Sequence, residues 1–157
     1  MRHITGSLLV AGALFFLGLI NGQTQAVDTD TALTYIIEGD SVIVADCEES
    51  VVGALLIPSS YIGKPVTSIG ANSFSGCSNL RSVTIPVSIT SIRSLAFQSC
   101  SSLTSVMISD SVTSIGEYTF VDTKLTEVTI TNPYCVITDD AFDPSVTVIR
   151  NDRSVAL

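Results

Sequence analysis

A short sequence motif recurs three times in this chain at a fixed spacing, and this repetition constrains the fold more than any other feature. The motif occupies residues 66–69 (VTSI), 89–92 (ITSI) and 112–115 (VTSI), which gives a period of 23 residues. In each copy a phenylalanine follows the isoleucine by five residues, and a leucine and a short alternating segment come next. A fixed period between 20 and 50 residues is typical of solenoid proteins. The sequence therefore predicts a stack of similar turns.

The recurring apolar and small residues are the predicted core of this stack. Each copy contains two short strand-like segments, and neither is long enough to bury its apolar face alone. Stacked copies must therefore share one continuous core. The predicted core residues are Ile69, Phe74, Cys77, Leu80, Ile92, Phe97, Cys100, Leu103, Ile115, Phe120, Leu125 and Phe142.

The segments that flank the repeats are predicted to cap them. Two β-branched runs at 35–37 and 42–44 surround Gly39, which is the pattern of a β-hairpin. Terminal rungs need such caps because they would otherwise expose core. The predicted organisation is a signal peptide (1–26), a flexible lead-in (27–34), a hairpin cap with a partial repeat (35–65), three repeats of 22–23 residues (66–133), a degraded fourth repeat with a capping strand (134–150) and a tail (151–157).

The N-terminus has the pattern of a secretory signal peptide. Arg2 and His3 precede an unbroken apolar run over residues 8–20, and the small residue Ala26 ends a plausible cleavage site. The run is shorter than the roughly 20 residues that a membrane-spanning helix needs. An uncleaved N-terminal anchor is the alternative. The sequence thus predicts a secreted or cell-surface protein, cleaved after Ala26.

The charge of the chain argues against nucleic-acid binding. Cleavage would remove Arg2 and leave six of the seven basic residues against 15 acidic ones. Nucleic-acid binding depends on neutralising phosphates with basic groups. Residues 28–49 hold seven acids, whereas residues 50–109 hold Lys64, Arg81 and Arg93 and no acid. This distribution is interpreted as a solvated acidic cap, and the alternative is a mildly positive band for an acidic partner.

Four cysteines, Cys47, Cys77, Cys100 and Cys135, could form two disulfides in three ways. Cys77 and Cys100 occupy the same repeat position, where stacked strands lie about 4.8 Å apart. Their side chains would point in the same direction, which makes the dihedral angle of a disulfide hard to reach. Cys77 and Cys100 are therefore predicted to be small buried core residues.

The remaining chemistry does not predict an enzyme. The single histidine, His3, lies in the predicted signal peptide. Without histidine, a Ser-His-Asp or Cys-His nucleophile system cannot form. The cysteines are 30, 23 and 35 residues apart, which is not zinc-site spacing. No catalytic residue, cofactor site or metal site is predicted.

The candidate partner-binding face comes from the positions between the apolar residues of each closing strand, together with residues that do not repeat. On a strand these positions face outward. Met107 is unusual there because an exposed thioether lies among serines and threonines. The candidate residues are Arg81, Ser82, Thr84, Arg93, Ser105, Met107, Glu127 and Thr129.

A second ladder of hydroxyl residues leaves another function open. Thr67, Thr90 and Thr113 recur beside the first strand of each copy, and a serine follows each of them. Such an array could order water, so an ice-binding protein is one alternative. A structural fragment of a longer repeat array is another.

The repeats resemble those of a known family. The segments at 66–70 (VTSIG), 73–80 (SFSGCSNL) and 83–86 (VTIP) are similar to the BspA-like, or Treponema pallidum-type, leucine-rich repeat. The third copy departs from the pattern at Thr123, where the earlier copies have cysteine. The resemblance implies a right-handed leucine-rich-repeat β-solenoid with short parallel strands, an N-terminal β-hairpin cap and few helices. It also implies a secreted or surface protein, without catalytic residues, that acts in adhesion or in binding an extracellular or cell-surface protein.

Overall fold

The structure is a computed structural model that describes residues 6–10, 13–20, 23–28 and 32–150. Over these residues the chain forms β-strands and no helix. None of the described elements is a helix long and apolar enough to cross a membrane. The strands are β1 (Gly6–Val10), β2 (Ala13–Ile20), β3 (Gln23–Asp28), β4 (Leu33–Glu38), β5 (Ser41–Cys47), β6 (Gly53–Leu56), β7 (Ser60–Tyr61), β8 (Lys64–Ile69), β9 (Leu80–Thr84), β10 (Ser91–Ile92), β11 (Ser105–Met107), β12 (Ser114–Ile115), β13 (Glu127–Ile130), β14 (Val136–Ile137) and β15 (Thr147–Arg150).

Ten of these strands build five stacked rungs, so the predicted solenoid is present. Each rung contributes one strand to a first column and one to a second column. The rungs are the pairs β5/β6, β8/β9, β10/β11, β12/β13 and β14/β15. Strands of neighbouring rungs pair in parallel, and in the first column Ile69, Ile92, Ile115 and Ile137 lie in register. The second column consists of a three-stranded sheet (β6, β9, β11) and a two-stranded sheet (β13, β15).

A ladder of four phenylalanines runs through the bend that joins the two columns. The ring centroids of Phe74, Phe97, Phe120 and Phe142 are 4.7, 5.2 and 5.1 Å apart, and the planes differ by 11° or less. The same bends are bonded through the backbone: the Phe97 N–H donates to the Thr119 carbonyl at 2.9 Å. Offset stacking at these distances is favourable beyond the burial of area. The ladder therefore links four rungs through side chains and backbone together.

The predicted core residues line the interior of the stack. Phe74, Phe97 and Phe120 are fully buried, and the predicted core leucines and isoleucines of the same three copies are at most 4% exposed. Phe142, in the last rung, is only partly buried. All four cysteines are buried and none forms a disulfide.

The three bends that contain Phe74, Phe97 and Phe120 each place two residues in the left-handed backbone region. The first position is Asn72, Leu95 and Tyr118 in successive rungs, with φ between 54° and 64°. The second position is Gly76, Ser99 and Asp122, with φ of 79°, 57° and 58°. Left-handed backbone costs residues with a Cβ roughly 1–2 kcal/mol. The stack thus maintains this bend geometry even where the sequence does not provide glycine.

The predicted N-terminal hairpin consists of β4 and β5, which pair antiparallel. The hairpin also completes the solenoid, because β5 pairs in parallel with β8 and so occupies the first column. The rings of Tyr35 and Tyr61 stack at 4.0 Å between the hairpin and the short β7. The structure differs from the predicted flexible lead-in at 27–34: Leu33 is fully buried and begins β4.

The backbone of the predicted signal peptide forms β1, β2 and most of β3, which extend the first-column sheet beyond β4. Cleavage after Ala26 would remove these strands and leave β4 at the sheet edge. The predicted tail at 151–157 lies outside the described residues.

The position of a ring in the ladder predicts its contribution to stability. Phe97 has a stacked neighbour on both sides, whereas Phe142 ends the ladder. We expect Phe97→Ala to lower the free energy of unfolding by about 3–5 kcal/mol, and Phe142→Ala to lower it less. Urea unfolding midpoints measure both variants, with Tyr134→Ala, at 86% exposed, as a silent control. A larger loss for Phe142→Ala would contradict the ladder's role.

The bend geometry predicts opposite effects of glycine at neighbouring serines. Ser99 lies in the left-handed region, so Ser99→Gly should stabilise the protein by about 1 kcal/mol. Ser101 does not, so Ser101→Gly should destabilise it by about 0.5–1 kcal/mol through chain entropy. Gly76→Ala should lower stability by a similar amount. Thermal melting of the three variants provides the measurement, and a destabilising Ser99→Gly would refute the bend assignment.

Candidate binding surface

The outward side chains of the second column form a row that crosses its two sheets. The strand registers place Leu56 beside Thr84 and Thr84 beside Met107, and they place Thr129 beside Ile149. Strands β11 and β13 contact each other and complete the row. We define the outer row as Leu56, Thr84, Met107, Thr129 and Ile149. Parallel strands lie about 4.8 Å apart, so the row is about 19 Å long.

The outer row is rich in exposed apolar side chains. Leu56 is 66% exposed, Met107 is 67% exposed and Ile149 is 39% exposed. The threonines of the row, Thr84 and Thr129, add methyl groups to the same surface. The core does not require these side chains, because the inward positions of the same strands already fill the interior. Contiguous exposed apolar surface of this kind is a common mark of an interaction site.

A companion row lies two residues before the outer row on each strand. It consists of Ala54, Ser82 and Ser105, which the registers of the three-stranded sheet align, and of Glu127 and Thr147, which the register of the two-stranded sheet aligns. Ser105 and Glu127 are exposed, and Ser82 is half-buried. Arg81 precedes Ser82 on β9, and its side chain is exposed. The face therefore combines an apolar row with a polar row that carries few charges.

The structure brings together seven of the eight predicted face residues and separates Arg93 from them. Arg93 follows β10, a strand of the first column, so it lies on the other sheet of the solenoid. Failure to repeat points to a specific role but does not identify the sheet, and the position of Arg93 in the copy belongs to the opening strand. We therefore exclude Arg93 from the face.

Two members of the outer row, Leu56 and Ile149, were absent from the sequence prediction. A signal for Leu56 was available, because Ile57 and Pro58 match Ile85 and Pro86 and so align Leu56 with Thr84. The register of Ile149 was hidden by Pro144, which interrupts the repeat pattern. The structure nevertheless pairs Thr129 with Ile149 in an unbroken ladder.

The threonine ladder on the first column has hydroxyl groups that bond to the solenoid itself. The Thr90 hydroxyl donates to the Thr67 carbonyl at 3.3 Å, and the Thr113 hydroxyl donates to the Thr90 carbonyl at 3.0 Å. The hydroxyls of Ser68 and Ser91 lie 2.8 Å apart and share a hydrogen bond. These contacts give the ladder a structural role, in which each side chain bonds one rung to the next.

Two charged side chains at the last rung, Arg150 and Asp143, form hydrogen bonds within the solenoid. A shallow depression of about 300 Å³ there is lined by Asp139, Asp143 and Arg150, among others. The Arg150 guanidinium donates to the Cys135 carbonyl at 3.1 Å, and Asp143 accepts the Asp122 N–H at 3.0 Å. Within residues 32–150, no group of three or more His, Cys, Asp or Glu side chains is arranged to hold a metal ion.

Comparison with known proteins connects this architecture to a family. Residues 54–150 match the sequence model described as "BspA type Leucine rich repeat region", in six copies. This match covers more than half of the chain. A comparison with curated proteins found no significant match.

Solved structures of bacterial leucine-rich repeat proteins are similar to this chain. One from T. pallidum has a TM-score of 0.66 at 24% identity, over 76% of this chain and 62% of its own length. One from Bacteroides capillosus has a TM-score of 0.67 at 25% identity, over 76% of this chain and 94% of its own. A leucine rich cell surface protein from Faecalibacterium prausnitzii has a TM-score of 0.62 at 26% identity, over 72% and 29%. The chain thus spans less than two thirds of the T. pallidum and F. prausnitzii proteins.

Proposed function

The chain belongs to the BspA-type leucine-rich repeat family, and on this premise we propose that it is a non-enzymatic module that binds an extracellular or cell-surface protein through the outer row. The observation that carries the proposal is the exposure of Leu56, Met107 and Ile149 in one row of the second column. Repeat proteins use such stacked surfaces for binding.

The non-repeating character of the outer row supports this assignment. The inward positions repeat because they must fit the same core in every rung. The outer row changes from Leu56 to Thr84 to Met107, although the core does not require that variation. An exposed leucine or methionine lowers solubility and does not stabilise the folded state. Binding a partner would explain why such side chains are present there.

The size of the face indicates an interface that is small, or that continues onto further rungs of a longer array. A row about 19 Å long is at the short end for a standard interface, which buries about 800 Å² on each partner. Interfaces of this size depend on a few central residues. Met107 occupies the third of the five rungs and is therefore our candidate for the central contact. In a longer array, additional rungs would extend the same two rows.

An extracellular location is part of the proposal. The similar protein from F. prausnitzii is described as a cell surface protein. In this chain, the basic start and the apolar run over residues 8–20 support export through a signal peptide.

The binding proposal predicts that charge on the outer row weakens partner capture. The purified chain is tested as bait against extracellular matrix proteins, and the double variant Thr84→Arg/Met107→Arg is compared with it. Two arginines would place unpaired charge at the centre of the interface, so we expect binding at least tenfold weaker, which corresponds to about 1.4 kcal/mol.

The matched control carries the same added charge on the other sheet. Tyr134→Arg/Val136→Arg changes two side chains of the last rung, in and beside the first-column strand β14, that are 86% and 69% exposed. Its affinity should stay within twofold of the unmodified chain. Binding that both double variants leave intact, or that both weaken equally, would refute the outer row as the interface. Unfolding midpoints show that each variant is folded.

The export proposal predicts the N-terminus of the secreted protein. When the full chain is expressed in a secreting bacterial host, N-terminal sequencing of the exported protein should start at Val27. Replacing the small residue at the cleavage site by Ala26→Lys should leave the precursor uncut. Exported protein that begins at Met1 would contradict cleavage after Ala26.

A further inference from the structure

The thiols of Cys47 and Cys77 meet where the N-terminal hairpin joins the first bend of the repeats. Cys47 ends β5 and is 5% exposed, and Cys77 is fully buried. Both sulfur atoms approach the same backbone oxygen: the Glu48 carbonyl lies 3.6 Å from the Cys47 Sγ and 3.9 Å from the Cys77 Sγ. The Cys77 Sγ also lies 4.0 Å from the Cys47 carbonyl. The two side chains therefore converge on one point from different rungs.

The other two cysteines are placed differently. Cys100 is in the next rung, at the same repeat position as Cys77, and its thiol donates to the Phe74 carbonyl at 3.0 Å. Cys135 lies beside β14 in the last rung, and its Sγ is 3.9 Å from the Val136 carbonyl. Cys77 and Cys100 extend in parallel from equivalent positions, whereas Cys47 comes from a rung with a shorter bend and can meet Cys77 directly.

We propose that Cys47 and Cys77 form a disulfide bond when the chain meets a low-molecular-weight disulfide such as glutathione disulfide, and that this bond fastens the hairpin cap to the repeats. Cys100 and Cys135 remain thiols. The assignment does not depend on the identity of any binding partner.

The closeness of the two thiols also affects their acidity. The two thiols interact with each other, and this side-chain contact lowers the pKa of Cys77 although burial acts in the opposite direction. The same contact, together with burial, raises the pKa of Cys47. Because the thiolate is the nucleophile in thiol–disulfide exchange, Cys77 reacts first.

The exchange then proceeds in two balanced steps. The Cys77 thiolate attacks one sulfur of glutathione disulfide, which forms a mixed disulfide and releases one glutathione thiolate. That thiolate takes the proton of Cys47, whose sulfur displaces the second glutathione. The cysteine pair loses two electrons and two protons, and glutathione disulfide becomes two glutathione molecules. Because both sulfurs are buried, glutathione disulfide reaches them only when the structure opens locally.

Peptide mapping tests the pairing without any substitution. Trypsin cleaves after Arg81 but not after Lys64, which precedes Pro65, so Cys47 and Cys77 remain in one peptide. Cys100 is in the peptide 94–124. The full chain is incubated with glutathione disulfide, alkylated and digested. We expect the peptide that ends at Arg81 to carry no alkyl group and to be two hydrogens lighter than the same peptide with two free thiols. Cys100 and Cys135 should be alkylated.

The midpoint of thermal unfolding tests whether the disulfide stabilises the fold. The bond would close a loop between residues 30 apart, so oxidation should raise the midpoint by about 10 °C, and a reductant should reverse the shift. The matched variants are Cys77→Thr and Cys100→Thr, because Thr123 occupies the same position in the third copy. Cys100→Thr should keep the shift, and Cys77→Thr should lose it.

Three outcomes would overturn the proposal: four alkylated thiols after oxidation, a crosslink between the peptide that ends at Arg81 and peptide 94–124, or a crosslink that contains Cys135. Because the mapping uses the unmodified chain, it decides the question even if a variant fails to fold.

Discussion

The contact between neighbouring rungs is the interaction on which this protein depends. Strands such as β10 and β12 contain only two residues, and none of them could persist alone. Stability comes from parallel backbone bonds between rungs and from the stacked phenylalanines between the columns. Each rung provides the surface on which the next one packs. The hairpin takes part in the same way, because β5 is the first strand of the first column.

This constraint separates the residues that fold the protein from those that are available for function. Inward positions repeat because every rung meets the same core. The hydroxyl ladder at Thr67, Thr90 and Thr113 also repeats, and its side chains bond one rung to the next. The outer row is the part of the second column that varies and remains exposed, with Met107 near its centre. The position of the candidate binding surface follows from this division.

The repeat pattern was sufficient to predict the solenoid, its core and most of the candidate surface, because a fixed period determines which residues align. It was insufficient where the period fails. The sequence prediction places Arg93 on the face, because residue type alone does not show that Arg93 follows a strand of the first column. Ile149 was missed because Pro144 conceals a register that the backbone maintains. The contact between Cys47 and Cys77 could not be predicted, because the hairpin rung has a shorter bend with no equivalent among the copies.

Amide hydrogen exchange tests most directly whether stacking between rungs holds the fold together. The N–H groups of Phe74, Phe97 and Phe120 each donate to a carbonyl of the following rung, at 2.8, 2.9 and 2.8 Å. If stacking dominates, these three amides should be among the slowest to exchange and should respond together to low concentrations of denaturant, because they open only when the stack unfolds. Rapid exchange at Phe97 while the β4–β5 hairpin stays protected would contradict the account.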